Sequence, residues 1–353
     1  MSEVLDISVT KVKKSRLNNL DINSLPFGKH FTDHMLEANF ENGEWKNIEI
    51  KPYQPLQLDP STSALHYGQA IFEGMKAFRN DSGDAFIFRP YENLKRFNLS
   101  AQRMCMPEVS EELFIDGLRH LIEIDKDWIP SKPDHSLYIR PLMFATDNTI
   151  GVRPSDTYKF LIIMCPVGPF HAAPMKIAVE EKYTRAAPGG VGFSKNAGNY
   201  GGSMYPAMLA KEQGYDQVLW TDAFEHKWLQ EVGMMNVGFM LNNTFVTPAL
   251  EDTILKGVTR DSIITLLKDM GITVEERKIS IDEIIERFDK GEVKEVFGMG
   301  TAAVISLIEE LKYKDKIMKF DVHSFSIAKK VKHKLNEIRS GKAEDVYGWM
   351  FKV

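Results

Sequence analysis

Cysteine is nearly absent from this 353-residue chain, with only Cys105 and Cys165 present. That count excludes a disulfide framework and a four-cysteine zinc site. Long apolar runs are also missing. Phe160 to Val167 and Val237 to Leu241 are among the longest, far short of the ~20 residues that span a bilayer as a helix. No charge sign dominates. Forty-four Lys and Arg stand against forty-nine Asp and Glu, a net charge of −5, which excludes a strongly basic surface for nucleic acid. Repeats of 20–50 residues and low-complexity tracts are missing as well. Residues 1–26 hold no apolar core of secretory type, and the run Lys11, Lys13, Lys14, Arg16 follows Glu3 and Asp6. The expectation is a cytoplasmic protein with a short mobile N-terminal arm.

What is present is 43% hydrophobic and 26% charged, the balance of a globular protein. At roughly 150 residues per domain the length predicts about two domains. Helical and strand patterns alternate, the mark of a mixed α/β chain. Residues 111–124 place Leu113, Phe114, Leu118, Leu121 and Ile122 on one helical face. Residues 136–144 alternate, with Leu137 and Ile139 facing one way and Tyr138 and Arg140 the other. Residues 158–165 read as a buried strand. Three prolines and a glycine in Pro166–Pro174 make a stiff connector. The expected division is a smaller N-terminal domain 1–166, a connector 167–175 and a larger domain 176–353.

In the second half, residues 175–183 and 217–221 read as strands, and 231–247 as a hairpin around Asn242-Asn243. Residues 260–270 read as a helix stopped by Gly271. Ser280-Ile-Asp-Glu283 is a capping box. Residues 293–297 read as a strand, and 326–339 as the last helix.

The densest oddity is Gly189-Gly-Val-Gly-Phe-Ser-Lys-Asn-Ala-Gly-Asn-Tyr-Gly-Gly202, with Lys195 at its centre and Tyr200 just beyond. Glycine is costly to order, so this density serves tight turns, a close ligand approach or a flexible surface loop. The segment matches neither a P-loop nor a nucleophile elbow. Gly298-Met-Gly-Thr-Ala-Ala303 follows a strand and leads toward a helical pattern. It reads as an anion cradle involving Thr301 or as a plain helix-opening turn. Gly257-Val-Thr259 opens the 260–270 helix and offers the same choice. Arg96, on the 92–104 helix, is one candidate cation for a phosphate. His30 and His34 have the i, i+4 spacing of a metal pair but lack the metalloprotease glutamate, so no metal is expected. The residues alone suggest an enzyme that holds a phosphorylated cofactor and uses a lysine.

The glycine-rich lysine segment resembles that of the branched-chain amino acid aminotransferases, in the type IV fold of pyridoxal-phosphate enzymes. Phe27-Gly-Lys-His-Phe-Thr-Asp-His-Met35, Leu65-His-Tyr67, Phe72-Glu-Gly-Met-Lys-Ala-Phe78 and Ser136-Leu-Tyr-Ile-Arg-Pro141 are similar to that family too. So are Gln230-Glu-Val-Gly-Met-Met-Asn236, Glu295-Val-Phe-Gly-Met-Gly-Thr-Ala302 and Trp349-Met-Phe351. The matches occur in the family's order and cover nearly all of the chain beyond residue 26. They imply two domains, the second with a barrel-like sheet. They also imply pyridoxal 5'-phosphate as cofactor, a homodimer, and leucine, isoleucine, valine and glutamate with their 2-oxo acids as substrates.

Residue by residue, the resemblance implies that Lys195 forms the Schiff base with the cofactor. A desolvated lysine there is a nucleophile and, once freed, a proton shuttle. Glu231 is implied to pair with the pyridine nitrogen and favour the protonated ring. By the same resemblance Tyr200 is implied to bond the ring oxygen, and Arg96, Val258, Thr259 and Thr301 to hold the phosphate. Phe27, Tyr67, Phe72, Tyr138 and Arg140 match the substrate pocket, with Thr301 and Ala302 near the substrate carboxylate. Met234 stands where some relatives carry a threonine, and Ala303 and Ser306 where some carry a Cys-x-x-Cys pair. A D-amino acid aminotransferase or an aminodeoxychorismate lyase are neighbours on the same fold, and a nucleotide- or sugar-phosphate-binding module is the competitor from another class.

Overall fold

The computed structural model describes residues 6–21, 24–132, 134–168 and 173–353. The chain divides into two units. One comprises Met1–Pro169, Ser194–Ala197 and Ile338–Val353; the other comprises Phe170–Phe193 and Gly198–Glu337.

The first unit is built on a nine-stranded sheet. Its strands are β1 (Ser8–Val9), β2 (His34–Glu41), β3 (Glu44–Pro52), β4 (Ala70–Phe72), β5 (Met75–Arg79), β6 (Ala85–Phe88), β7 (Ser136–Ala145), β8 (Tyr158–Val167) and a C-terminal strand, Met350–Lys352. The order is β1-β3-β2-β8-β7-β5-β6 and then the C-terminal strand, with β4 on β7. β7 and β8 pair along their full lengths, from Ser136 opposite Val167 to Ala145 opposite Tyr158. That long antiparallel ladder explains why both segments read clearly as strands. Helices α1 (Ser63–Tyr67), α2 (Pro90–Arg103) and α3 (Gly117–Ile124) complete the unit, with a π-helical turn, Glu112–Asp116, leading into α3. Pro90 starts α2 with its backbone already set near the helical φ. Phe97 of α2, Phe114 of the π turn and Phe160 of β8 meet at ring-centroid separations of 5.7–5.9 Å in the core.

Three expectations are corrected here. The N-terminal arm is docked, because β1 pairs with β3, Ser15 donates to Asp33 at 2.5 Å and the Arg16 N–H to Asp33 at 2.9 Å. The strand at 158 runs on through Pro166 and Val167, which pair with Leu137 and Ser136, so these two are not connector. Residues 169–172 of the expected connector lie outside the described residues. The third correction concerns the domain sizes. Ile338–Val353 returns to the first unit because its strand pairs antiparallel with β6, which makes the first unit the longer one.

The second unit holds β9 (Met175–Val179), β10 (Gln217–Thr221), β11 (Leu229–Val232), β12 (Met235–Leu241), β13 (Thr244–Thr247), β14 (Thr273–Glu276), β15 (Val293–Gly300), β16 (Val304–Tyr313) and β17 (Lys316–Lys319). Six of them close on themselves in the order β11-β10-β9-β16-β15-β12 and back to β11, a barrel. The closing contacts are Glu231 opposite Asn236 and Val232 opposite Met235. Around the sheet run α4 (Ala197–Glu212), α5 (Val258–Asp269), α6 (Ile281–Asp289) and α7 (Ile327–Arg339). Ser280 caps α6 by accepting the Glu283 N–H at 3.1 Å, as its capping-box spacing predicts. Glu295 of β15 caps α7, accepting the N–H groups of Ser326, Ile327 and Ala328 at 2.6–2.7 Å.

Local expectations shift in this unit as well. The strand expected to reach Tyr183 stops at Val179, because Glu180 accepts the N–H groups of Glu181, Lys182 and Tyr183 and folds them into a turn. The expected 231–247 hairpin contains a second turn at Gly233-Met234, with Gly233 at φ +56°. Gly298–Ala303 does not open a helix. It is a strand and turn that lead into β16, with Val304 at φ +65°.

Candidate active site

The predicted site residues fall into two groups, one in each unit. In the first, Lys195 is anchored by its backbone. Its N–H donates to Ser100 Oγ at 2.9 Å, and its carbonyl accepts the Phe72 N–H at 3.0 Å. Ile71 and Asn196 form an antiparallel bridge beside it. The Lys195 ammonium lies 5.0 Å from the centroid of the Phe72 ring.

Next to Phe72 is Glu73, a fully buried carboxylate to which the sequence reading assigned no role. Its Oε1 accepts Arg96 Nε at 2.7 Å and its Oε2 accepts Arg96 Nη2 at 2.8 Å, a two-point contact that fixes the guanidinium plane. Asn93 Nδ2 and the Gly74 N–H also donate to Oε2, at 2.7 and 3.0 Å. Burial pushes Glu73 toward the neutral form, but the charges of Arg96 and Lys195 and the bonds from Arg96 and Asn93 outweigh it, and its pKa is lowered.

Four of the expected pocket residues come together here. Arg140 stacks over the rings of Phe72 and Tyr138, at 4.6 and 5.4 Å, and donates to the Tyr138 hydroxyl at 2.9 Å. Phe27 meets Tyr138 edge to face at 4.8 Å. Gly74 is required beside them, since a Cβ there would lie 2.3 Å from the Tyr138 hydroxyl. Tyr67, at the end of α1, is 41% exposed and contacts the His66 ring. His34 is committed elsewhere: Nδ1 meets Asp125 at 2.7 Å and Nε2 accepts the Val12 N–H at 2.9 Å. Cys165 is buried, and burial pushes its thiol pKa up, whereas Cys105 is exposed.

The second group is organised by Glu231 on β11. Its Oε1 accepts Asn236 Nδ2 at 3.1 Å and the Leu255 N–H at 2.9 Å, and its Oε2 meets Arg185 Nη2 at 3.0 Å. Asn236 also donates to the Leu255 carbonyl at 3.0 Å. These bonds tie Glu231 to the segment that enters α5. Gly257 precedes that helix, and a Cβ on it would lie 2.1 Å from Asn236 Oδ1. Val258 and Thr259 form the first turn, and the N-cap residue, Gly257, has no side chain to cap it. Such a turn offers N–H donors and the positive end of the helix dipole to an anion.

Thr301 and Ala302 lie in the β15–β16 turn, and Gly298 and Gly300 before it pack against Met235, where a Cβ would lie 2.9 Å from its side chain. Tyr200 sits in the first turns of α4, so Gly198, Gly201 and Gly202 are helical, not loop. Gly192 is held close to Ala186 and Thr253, where a Cβ would come within 2.5–2.9 Å of both. Met234 is 63% exposed in the turn after β11. Arg185, Asn236 and Glu73 are the residues that sequence reasoning missed. Glu73 and Asn236 carried a signal, as parts of the Phe72-Glu-Gly and Gln230–Asn236 motifs, and Arg185 carried none.

Comparison with known proteins identifies the family and the fold. Residues 70–311 match the model of the family described as Amino-transferase class IV. A probable branched-chain-amino-acid aminotransferase of Staphylococcus epidermidis is 46% identical, over 97% of this chain and 98% of its own. Branched-chain-amino-acid transaminase 1 of Bacillus subtilis is also 46% identical, over 94% of this chain and 95% of its own. The crystal structure of the Escherichia coli branched-chain amino acid aminotransferase superposes with a TM-score of 0.72 and 26% identity, covering 90% of this chain and 98% of that one. The enzyme of Thermoproteus uzoniensis shares the fold at a TM-score of 0.74 and 23% identity, covering 90% and 99%. With Lys195 beside the Glu73–Arg96 pair, a helix N-terminus at Val258 and similarity along nearly its whole length, this chain belongs to the class IV aminotransferases, among the branched-chain amino acid aminotransferases.

Proposed function

We propose that the protein transfers the amino group of leucine, isoleucine or valine to 2-oxoglutarate, with pyridoxal 5'-phosphate held covalently on Lys195. The donor's Cα is oxidised to a 2-oxo carbon, the 2-oxo carbon of 2-oxoglutarate is reduced to an amine, and nitrogen passes between them. The observation that carries this reading is Lys195 beside the Glu73–Arg96 pair, an amine next to a guanidinium held in a fixed plane, which suits a phosphorylated aldehyde bound to a lysine. The α5 N-terminus, which opens after Gly257, and the carboxylate of Glu231 fit the same cofactor, one for its phosphate and one for its ring nitrogen.

When bound, the cofactor supplies an electrophilic carbon and a protonated ring that accepts the electron pair left at the substrate Cα. The chain's own residues do the rest. Arg96, with Thr259, Thr301 and the backbone at Val258, binds the phosphate. Glu231 holds the proton on the ring nitrogen, and Tyr200 donates to the ring oxygen. The Lys195 amine would be the nucleophile that tethers the cofactor and, once freed, the base that takes the proton from the substrate Cα and would deliver it to the former aldehyde carbon across the nitrogen. Phe27, Tyr67, Phe72 and Tyr138 exclude water from an aliphatic side chain. Arg140 meets the second carboxylate of glutamate, and the backbone at Thr301 and Ala302 meets the α-carboxylate.

The working form in this proposal is a cytoplasmic homodimer. No described helix is long and apolar enough to cross a membrane. Borohydride reduction of the holoenzyme followed by peptide mass mapping tests the reading. The phosphopyridoxyl mass is expected on the Lys195 peptide and is absent from Lys195→Ala, which also loses turnover. The mass on a peptide containing any other lysine overturns it.

A further inference from the structure

Arg185 and Glu231 form a buried ion pair that the catalytic assignments above leave unused. The contact is 3.0 Å, with side chains only 7% and 5% exposed. The same Arg185 Nη2 donates to the Thr253 carbonyl, and the Arg185 Nε is buried with no hydrogen-bond partner among the described residues. Burying a guanidinium with one donor unmatched is costly, and a surface position would have avoided that cost. The pairing therefore calls for a role beyond packing. Glu231 Oε1 is held independently by Asn236 and Leu255, so Arg185 governs the other oxygen, Oε2.

We infer that Arg185 is a positioning residue that holds Glu231 Oε2 and keeps the Glu231 carboxylate charged, so that the shared proton stays on the cofactor ring nitrogen. This rests on the proposed function, in which Glu231 faces that nitrogen. A desolvated carboxylate pulls a proton onto itself, and a neighbouring fixed cation opposes that. Without Arg185 the proton moves from the ring nitrogen to Glu231. The ring becomes neutral and accepts electrons less readily, although every residue that touches the cofactor or substrate is still present. The pair also bonds Thr253, so a purely architectural role is the competing account. It predicts loss of fold or of cofactor retention without a change of ring protonation.

The test uses the holoenzyme loaded with pyridoxal phosphate carrying nitrogen-15 in the ring, with Arg185→Met and Arg185→Lys beside the parent. The parent is expected to show the resonance of a protonated ring nitrogen. Arg185→Met moves it toward the unprotonated position and lowers kcat about 10- to 150-fold, the loss that goes with one charge-assisted bond, while KM for leucine changes little. Arg185→Lys restores the cation and with it the protonated resonance and most of kcat. If Arg185→Met fails to fold, Arg185→Gln, which keeps a donor for the Thr253 carbonyl but no charge, is read in its place: a resonance moved toward the unprotonated position supports the inference and the parent's resonance overturns it. A folded Arg185→Met with the parent's resonance overturns it, as does equal loss of cofactor and thermal stability in both variants at unchanged resonance. A parent whose own ring nitrogen is unprotonated, or whose cofactor is not trapped on Lys195, overturns the proposed function instead.

Discussion

Glu73 grips Arg96 at two points, Oε1 to Nε at 2.7 Å and Oε2 to Nη2 at 2.8 Å, in an environment where Glu73 is wholly buried and Arg96 nearly so. The sequence places them on different elements, the turn after β4 and the middle of α2. Their contact turns an arginine on a helix into a fixed cation.

Glu73→Gln leaves Arg96 buried against a neutral partner with one acceptor in place of two. Breaking a buried pair from one side costs about 3–5 kcal/mol. Urea unfolding is expected to show that loss, with faster release of the cofactor on dilution. An unfolding midpoint equal to the parent's would show that the pair does not hold this part of the fold.

Arg140 lies between an aromatic wall and a hydroxyl, stacked on Phe72 and bonded to Tyr138. A pocket that takes leucine in one half-reaction and glutamate in the other needs such a cation beside apolar surface. Arg140→Ala is expected to raise KM for glutamate and 2-oxoglutarate by about 10- to 150-fold and to leave leucine largely unaffected. Steady-state kinetics with each substrate decides, and equal losses for both would remove the assignment.

Asp222 sets the turn between β10 and β11. Burial raises its pKa, but the N–H groups of Phe224, Glu225, Lys227 and Trp228, at 2.8–3.1 Å, more than offset that and lower it from 3.8 to about 2. The folded value lies below the unfolded one. The stabilisation is therefore complete above pH 3.8 and is lost as the pH falls through 2. Its ceiling is about 2 kcal/mol, reduced by solvent screening. Asp222→Asn is expected to be less stable than the parent at pH 6, with the gap closing between pH 4 and pH 2. A gap that stays constant over that range in urea titrations would refute the role.

Much of this protein is written in local pattern. The alternation in β7, the apolar run of β8, the capping box of α6 and the glycine stop after α5 are set by neighbours a few residues apart, so they read directly from the chain. Lys195 stood out because glycine crowding is itself a local signal. Tertiary structure alone decided the partners. Arg185, in the segment after β9, meets Glu231 on β11, and Glu73, in the turn after β4, meets Arg96 on α2; each pair joins parts distant in sequence, and no periodicity encodes either. The glycines after Lys195 likewise read as loop, since glycine disfavours a helix, yet α4 runs through them. The C-terminal segment returns to the first unit for a related reason: its strand completes a sheet edge at β6 that only the folded chain presents. A residue's own type sets what it can bond to, but burial and the arrival of distant donors set whether it holds a charge, and those depend on the whole fold.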